Sequence, residues 1–169
     1  MNKHIFIING SGGVGKDTFV NMVSKYVPTT NYSSVDKIKE AAKIIGWHGE
    51  KTEKARKFLS DLKVLSTEYN NFPYKSMVNK IEDFLEDTVN QFLFLHIREP
   101  EEIKRLSEEF DLTTILISNN NVSLIDTNMA DKHVFDYEYD MKITNDSNLT
   151  ELNEKAKIFC EIYGDINEQ

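Results

Sequence analysis

Apolar residues open the chain in a nearly unbroken run. Residues 3–9 read Lys-His-Ile-Phe-Ile-Ile-Asn, and residues 92–97 read Phe-Leu-Phe-Leu-His-Ile. Short runs without polar alternation predict central strands covered on both faces. The β-branched stretch Thr113–Ile117 predicts a third strand, and Thr30–Ser34 and Asp140–Thr144 predict two shorter ones. Between them the apolar positions fall at helical spacing. Phe19, Val20, Met22, Val23 and Tyr26 mark a helix over 18–26, limited by Pro28. Ile38, Ala41, Ala42 and Ile45 mark a helix over 36–45, after which Gly46 and Gly49 bracket Trp47 and His48. Ala55, Phe58, Leu59, Leu62 and Leu65 form the apolar stripe of a longer helix over 52–69. Asn70–Pro73 interrupts the chain, and Ser76 is placed to cap a helix over 76–89. Pro100 suits the first turn of a helix running to Phe110. Ser147 or Asn148 opens the last helix, to Tyr163. Residues 122–139 hold many charges and no strong period, so they read as irregular.

Strands alternating with helices predict an α/β fold with a mostly parallel sheet. A length of 169 residues suits one domain spanning 1–169. A domain of that size buries roughly 70% of its unfolded surface and needs no disulfide or metal staple.

The junction of the first strand and first helix carries the chemistry. Gly10-Ser11-Gly12-Gly13-Val14-Gly15-Lys16-Asp17-Thr18 matches the pattern G-x-x-x-x-G-K, and four of the seven glycines lie between residues 10 and 15. Triphosphate oxygens require several N–H donors aimed into one small concavity. Glycines let the backbone turn tightly enough to supply them. The following helix directs the positive end of its dipole to the same place. Lys16 is then placed to reach the β and γ phosphates as a point charge. The strand–loop–helix context is the one in which this phosphate-binding (P-loop, Walker A) motif is meaningful. The expected ligand is ATP with Mg²⁺. The usual Ser or Thr after the lysine is replaced by Asp17, with Thr18 next. Asp17 through water, or Thr18 directly, is the candidate on the metal side.

Charge narrows the partners. The chain has 28 acidic and 20 basic residues, a net charge of −8. A general nucleic-acid binder needs a basic footprint to displace counterions, so nucleic acid is not an expected partner. A local basic patch for a small anion remains open. One cysteine, Cys160, excludes an intrachain disulfide and reads as a small core residue among Ile158, Phe159 and Ile162. The run Ile5–Ile8 is too short for a signal peptide, and no stretch approaches the ~20 apolar residues of a membrane span. The expected location is cytoplasmic, with no membrane partner. Oligomeric state is not legible.

Gly15-Lys16-Asp17-Thr18 resembles the wording of the deoxynucleoside monophosphate kinases of bacteriophages and their bacterial relatives. Three more segments agree in order: Ala55-Arg56-Lys57-Phe58-Leu59, His96-Ile97-Arg98 with Glu102, and Ile143-Thr144-Asn145-Asp146-Ser147-Asn148-Leu149. The resemblance implies a three-layer P-loop NTPase fold with a five-stranded, mostly parallel sheet. It implies a helical acceptor-binding insertion around 34–90 and a lid-like segment around 119–139. It implies transfer of the ATP γ-phosphoryl to a (deoxy)nucleoside monophosphate or similar phosphorylated small molecule. On that pattern Lys16 stabilises the moving phosphoryl, and Arg56 and Arg98 grip the acceptor phosphate with planar guanidinium groups. Ser34, Asp36 and Lys39 follow the second strand, where acceptor binding is expected.

Two positions depart from the family. His96 stands where its acid is expected, and Ser118-Asn119-Asn120-Asn121 occupies a place that often holds an arginine. Two other readings stay open. One is a nucleotide-binding or regulatory protein that transfers no phosphate. The other is a small-molecule kinase outside nucleotide metabolism. At single residues, Arg98 could instead pair with Glu99, Glu101 or Glu102, Arg56 could be a solvated helix residue, and His96 could be a satisfied core histidine. Trp47 and His48 fit an acceptor-stacking corner or a core plug equally.

Overall fold

The computed structural model describes residues 2–122 and 133–164. The elements run β1 (His4–Asn9), α1 (Lys16–Val23), β2 (Thr29–Ser33), α2 (Asp36–Ile45), α3 (Glu53–Asn70) and α4 (Phe72–Glu86). They continue with β3 (Phe92–His96), α5 (Pro100–Glu109), β4 (Thr113–Ser118), β5 (Met141–Thr144) and α6 (Leu149–Tyr163). The five strands form one sheet in the order β2-β3-β1-β4-β5, every pair parallel. Ile5 lies opposite Leu93 and Ile8 opposite Ile115, so β1 is the central strand.

The period-two alternation of strands sends each apolar run to two faces. Phe6, Ile8, Phe92, Phe94, Ile115, Ile117 and Ile143 pack on one side with Phe19, Val20 and Val23 of α1 and Leu152, Ala156, Phe159 and Cys160 of α6. Aromatic rings dominate that side, with Phe6 and Phe159 4.8 Å apart between centroids. Ile5, Ile7, Leu93, Leu95, Ile97 and Leu116 face the other way, onto Met77, Ile81 and Phe84 of α4 and Ile103 and Leu106 of α5. The result is the three-layer α/β arrangement expected from the sequence. Cys160 is fully buried beside Val23 O, and burial pushes its thiol up to about 12, which keeps it protonated and inert.

The helices differ from expectation in three places. α1 begins at Lys16 rather than Thr18 and ends at Val23, because Gly15 adopts φ 101° as its N-cap and lets the helix start at once. Ser76 caps nothing: α4 starts at Phe72, four residues earlier. Asn71, at φ 58° and ψ 36°, is both the last cap of α3 and the first of α4, so a single left-handed residue separates the two helices. Pro73 fits there because first-turn N–H groups have no intrahelical partner.

The third difference concerns α3. Its stripe is half-covered at Ala55, Phe58, Leu59 and Leu62, and Leu65 is exposed; no α3 side chain is fully buried. The helix packs mainly on α2 and α4, and Arg56, Leu59 and Lys63 of its length line the cleft beyond the strands. Of the lid-like segment around 119–139, residues 123–132, including Lys132, lie outside the described residues. No helix among the described residues is long and apolar enough to cross a membrane.

Candidate active site

Parallel α/β sheets leave a crevice beyond the carboxyl ends of their strands, where loops from neighbouring strands diverge. Here a cleft of about 1480 Å³ occupies that position. The glycine loop forms one wall through Gly12, Gly13, Lys16 and Asp17. The end of β3 supplies His96, Arg98 and Glu99; the β2–α2 turn supplies Ser34, Asp36 and Lys39; and α3 supplies Arg56, Lys57 and Lys63.

The loop is held open by three devices. Gly10 has φ 150°, and a Cβ there would lie 2.3 Å from Ile117 O of β4. No other residue could pass that close to the neighbouring strand. Gly15 has φ 101°, and a Cβ there would lie 2.5 Å from Asn145 Nδ2. Asn145, in the turn after β5, donates its side chain to Val14 O at 2.9 Å and its backbone N–H to Ser118 O at 2.7 Å. It thereby ties the loop to both strands on that side. Lys16 folds back on the loop, donating to the carbonyls of Gly10 and Ser11. Ser11 and Val14 turn their side chains inward and can contribute only backbone groups to the cleft. Thr18 is half-buried in the first turn of α1, and Asp17 is exposed beside it.

The expected acceptor-side residues are brought to the same cleft, though they differ in character. Arg98 is half-buried at the end of β3, and Arg56 is exposed on α3. Ser34 is buried, and its N–H donates to His96 O at 3.2 Å. Asp36 is engaged locally: its Oδ2 accepts the Ser33 N–H at 2.8 Å, fixing the start of α2. Lys39, half-buried on α2, lines the cleft. Trp47 does not line the cleft; its indole N–H donates to Glu50 O in the α2–α3 connection.

His96 is neither a satisfied core residue nor solvated. Its Nε2 lies 3.9 Å from Asp17 Oδ1, is buried, and has no hydrogen-bond partner among the described residues. Burial holds the imidazole below the usual histidine range, Asp17 opposing and Lys16 and Arg98 adding to the effect, so it is neutral at pH 7.

Two groups were not foreseen. Lys63 of α3 reaches across to α5, pairing with Glu99 Oε1 and lying 3.7 Å from Glu102 Oε2. Burial raises the Glu102 carboxyl to about 7; Lys63 pulls it down and the charge of Glu99 pushes it further up. The second is Asn9, fully buried at the end of β1. Its Oδ1 accepts the Gly10 N–H at 2.8 Å, and its Nδ2 donates to Tyr139 Oη at 2.8 Å and Arg98 O at 3.4 Å. A polar residue closing a buried strand was the available signal.

No family model matches the chain, and no curated protein does. Solved structures do match. A sugar kinase from Janibacter sp. HTCC2649 superposes with a TM-score of 0.57 at 12% identity, covering 100% of each chain. A candidate kinase from Chloroflexus aurantiacus superposes at 0.50 and 12% identity, covering 96% of this chain and 98% of that one. The fold is P-loop kinase-like. At such identity the likeness extends to the fold alone, and the chemistry of the P-loop cleft rests on its own residues.

Magnesium fits that cleft in one respect. The ion keeps several waters and takes one or two carboxylates together with substrate phosphates. Asp17 offers one exposed carboxylate at the loop, and no group of three acidic, His or Cys side chains among the described residues forms a protein-only site.

Proposed function

We propose that this chain transfers the γ-phosphoryl group of ATP to a (deoxy)nucleoside monophosphate or similar phosphorylated small molecule. The observation that carries the reading is that Lys16, Arg56 and Arg98 line a single cleft with the glycine loop. The loop N–H groups and the start of α1 would hold the triphosphate. Lys16 would leave the Gly10 and Ser11 carbonyls for the β and γ oxygens, exchanging neutral acceptors for charged ones. Arg98 and Arg56 would hold the acceptor phosphate opposite, with the helical stretch between β2 and β3 forming the acceptor side. Ser34 and Lys39 would add contacts at its base, and Asp36 would hold the turn that carries them. Asp17 and Thr18 would hold Mg²⁺, which neutralises phosphate charge when bound. Such a site works by positioning and by electrostatic stabilisation.

His96 favours a second reading. A neutral imidazole with a buried, unpartnered Nε2 suits an acceptor hydroxyl, which must lose a proton, better than a phosphate, which need not. A small-molecule kinase outside nucleotide metabolism would use the same P-loop.

ADP release should be measured with Mg-ATP alone, with a panel of ribo- and deoxynucleoside monophosphates, and with unphosphorylated polyols. Stimulation by one or a few monophosphates is expected. Stimulation by a polyol alone would move the assignment to the second reading. Tight ATP binding without stimulated turnover by any of them would favour a nucleotide-binding protein that transfers nothing.

A further inference from the structure

A buried chain of hydrogen bonds runs behind the cleft and touches both of its halves. It starts at the Gly10 N–H, the first donor of the glycine loop, which is taken by Asn9 Oδ1. The Asn9 amide spends its two hydrogens on Tyr139 Oη and on the carbonyl of Arg98. Tyr139 Oη in turn donates to Val134 O at 2.7 Å. Every polar atom of the Asn9 side chain is thereby used. Asn9 is fully buried and Tyr139 nearly so, and burial holds the phenol up at about 12, so it stays a protonated donor. The three segments joined are far apart in sequence: the end of β1, the second residue after β3 and the stretch before β5.

We propose that Asn9 and Tyr139 are positioning residues that hold the glycine loop and the Arg98 segment in register. The proposal rests on the phosphotransferase reading for its consequence, since register matters only if the two walls hold the two reactants. Small misplacement of reacting groups lowers the rate steeply. Gly10 is the critical link. Its N–H is held by Asn9, its carbonyl by Lys16, and its α-carbon is pressed against β4. A tilt of the Asn9 amide would rotate that peptide and move the backbone of Arg98 together with it.

The test is Tyr139→Phe in the full chain, which deletes one hydroxyl and keeps the ring. Asn9→Ala and the double variant complete a cycle. Amide hydrogen exchange is read on peptides covering 9–16, 97–99 and 133–140, alongside thermal unfolding and two-substrate kinetics. In Tyr139→Phe, exchange should accelerate together at the glycine loop and at Arg98, by about five- to tenfold, the scale of one lost internal hydrogen bond. The kcat should fall by a similar factor with little change in KM for ATP. The double variant should be no worse than Asn9→Ala, because both break one chain. Acceleration confined to 133–140, or additive effects in the double variant, would overturn the proposal. Should the wild type turn over no acceptor, the exchange arm alone still decides, which separates this inference from the assignment of function.

Discussion

Glu102 makes the protein's stability respond to pH near neutrality, in the direction opposite to ordinary acid denaturation. Its carboxyl rises from an ordinary 4.5 to about 7, through burial first and then the charge of Glu99, against the pull of Lys63. The folded protein therefore holds this proton more tightly than the unfolded chain. Between those two values the native state binds more protons, so this contribution is complete below pH 4.5 and is lost as pH rises through 7. At 1.36 kcal/mol per unit, the shift corresponds to about 3 kcal/mol as an upper bound, of which about 2.5 falls between pH 5 and 8. The Glu102 side chain is 19% exposed, which leaves little solvent to screen the effect. Glu102→Gln keeps the shape and removes the charge. Urea unfolding of both proteins at pH 5, 6, 7 and 8 reads the effect of removing the Glu102 charge, because titrating groups remote from it cancel in the difference. The two should be nearly equal at pH 5, and the Gln variant should be the more stable by about 2 kcal/mol at pH 8. With a urea slope of roughly 2 kcal/mol/M that is a midpoint shift near 1 M. A Gln variant no more stable than wild type at pH 8 would refute the reasoning. Burial raises the Glu99 carboxyl, but Lys63 more than offsets it and holds that group below its ordinary value.

Lys16→Ala should abolish measurable ATP binding by calorimetry and leave the thermal midpoint near wild type, because the lysine is half-buried at the cleft and its ammonium bonds to two loop carbonyls that water can satisfy in its place; normal affinity would sink the ATP reading. Gly15→Ala should destabilise the protein by about 1–3 kcal/mol in urea, since it meets both a left-handed backbone and the Asn145 amide at 2.5 Å; Gly15→Ala combined with Asn145→Ala should recover part of that loss. Asn71→Gly should be neutral within about 0.5 kcal/mol and Asn71→Ala worse by about 1 kcal/mol, because φ 58° suits glycine and penalises a β-carbon.

The strands were legible because they are buried on both faces, so Ile5–Ile8 and Phe92–Ile97 announce themselves without any alternation. The glycine loop was legible because its spacing has few other uses. Helix ends were less so. Ser76 looked like a cap, yet Asn71 in a left-handed conformation serves two helices at once, and no local pattern announces that. The stripe on α3 marked an amphipathic helix, but Ala55, Phe58, Leu59 and Leu62 are only half-covered and Leu65 is exposed. The bracing groups were the hardest to see. Asn9 meets Tyr139, and Asn145 meets Val14, across 130 and 131 residues. Side-chain chemistry at that separation is fixed by sheet order, which the local period does not encode.

That sheet order also governs when the chain can begin to fold. β1 pairs with β3 and β4, and β2 pairs with β3, but β1 and β2 never touch. Until Phe92–His96 has left the ribosome, neither of the first two strands has a partner. At roughly 5–20 residues per second, the apolar run Ile5–Ile8 waits for several seconds at least before its first ladder can close. A fragment ending before Phe92 should therefore hold helices at most and no native sheet. During that interval this apolar segment is open to aggregation.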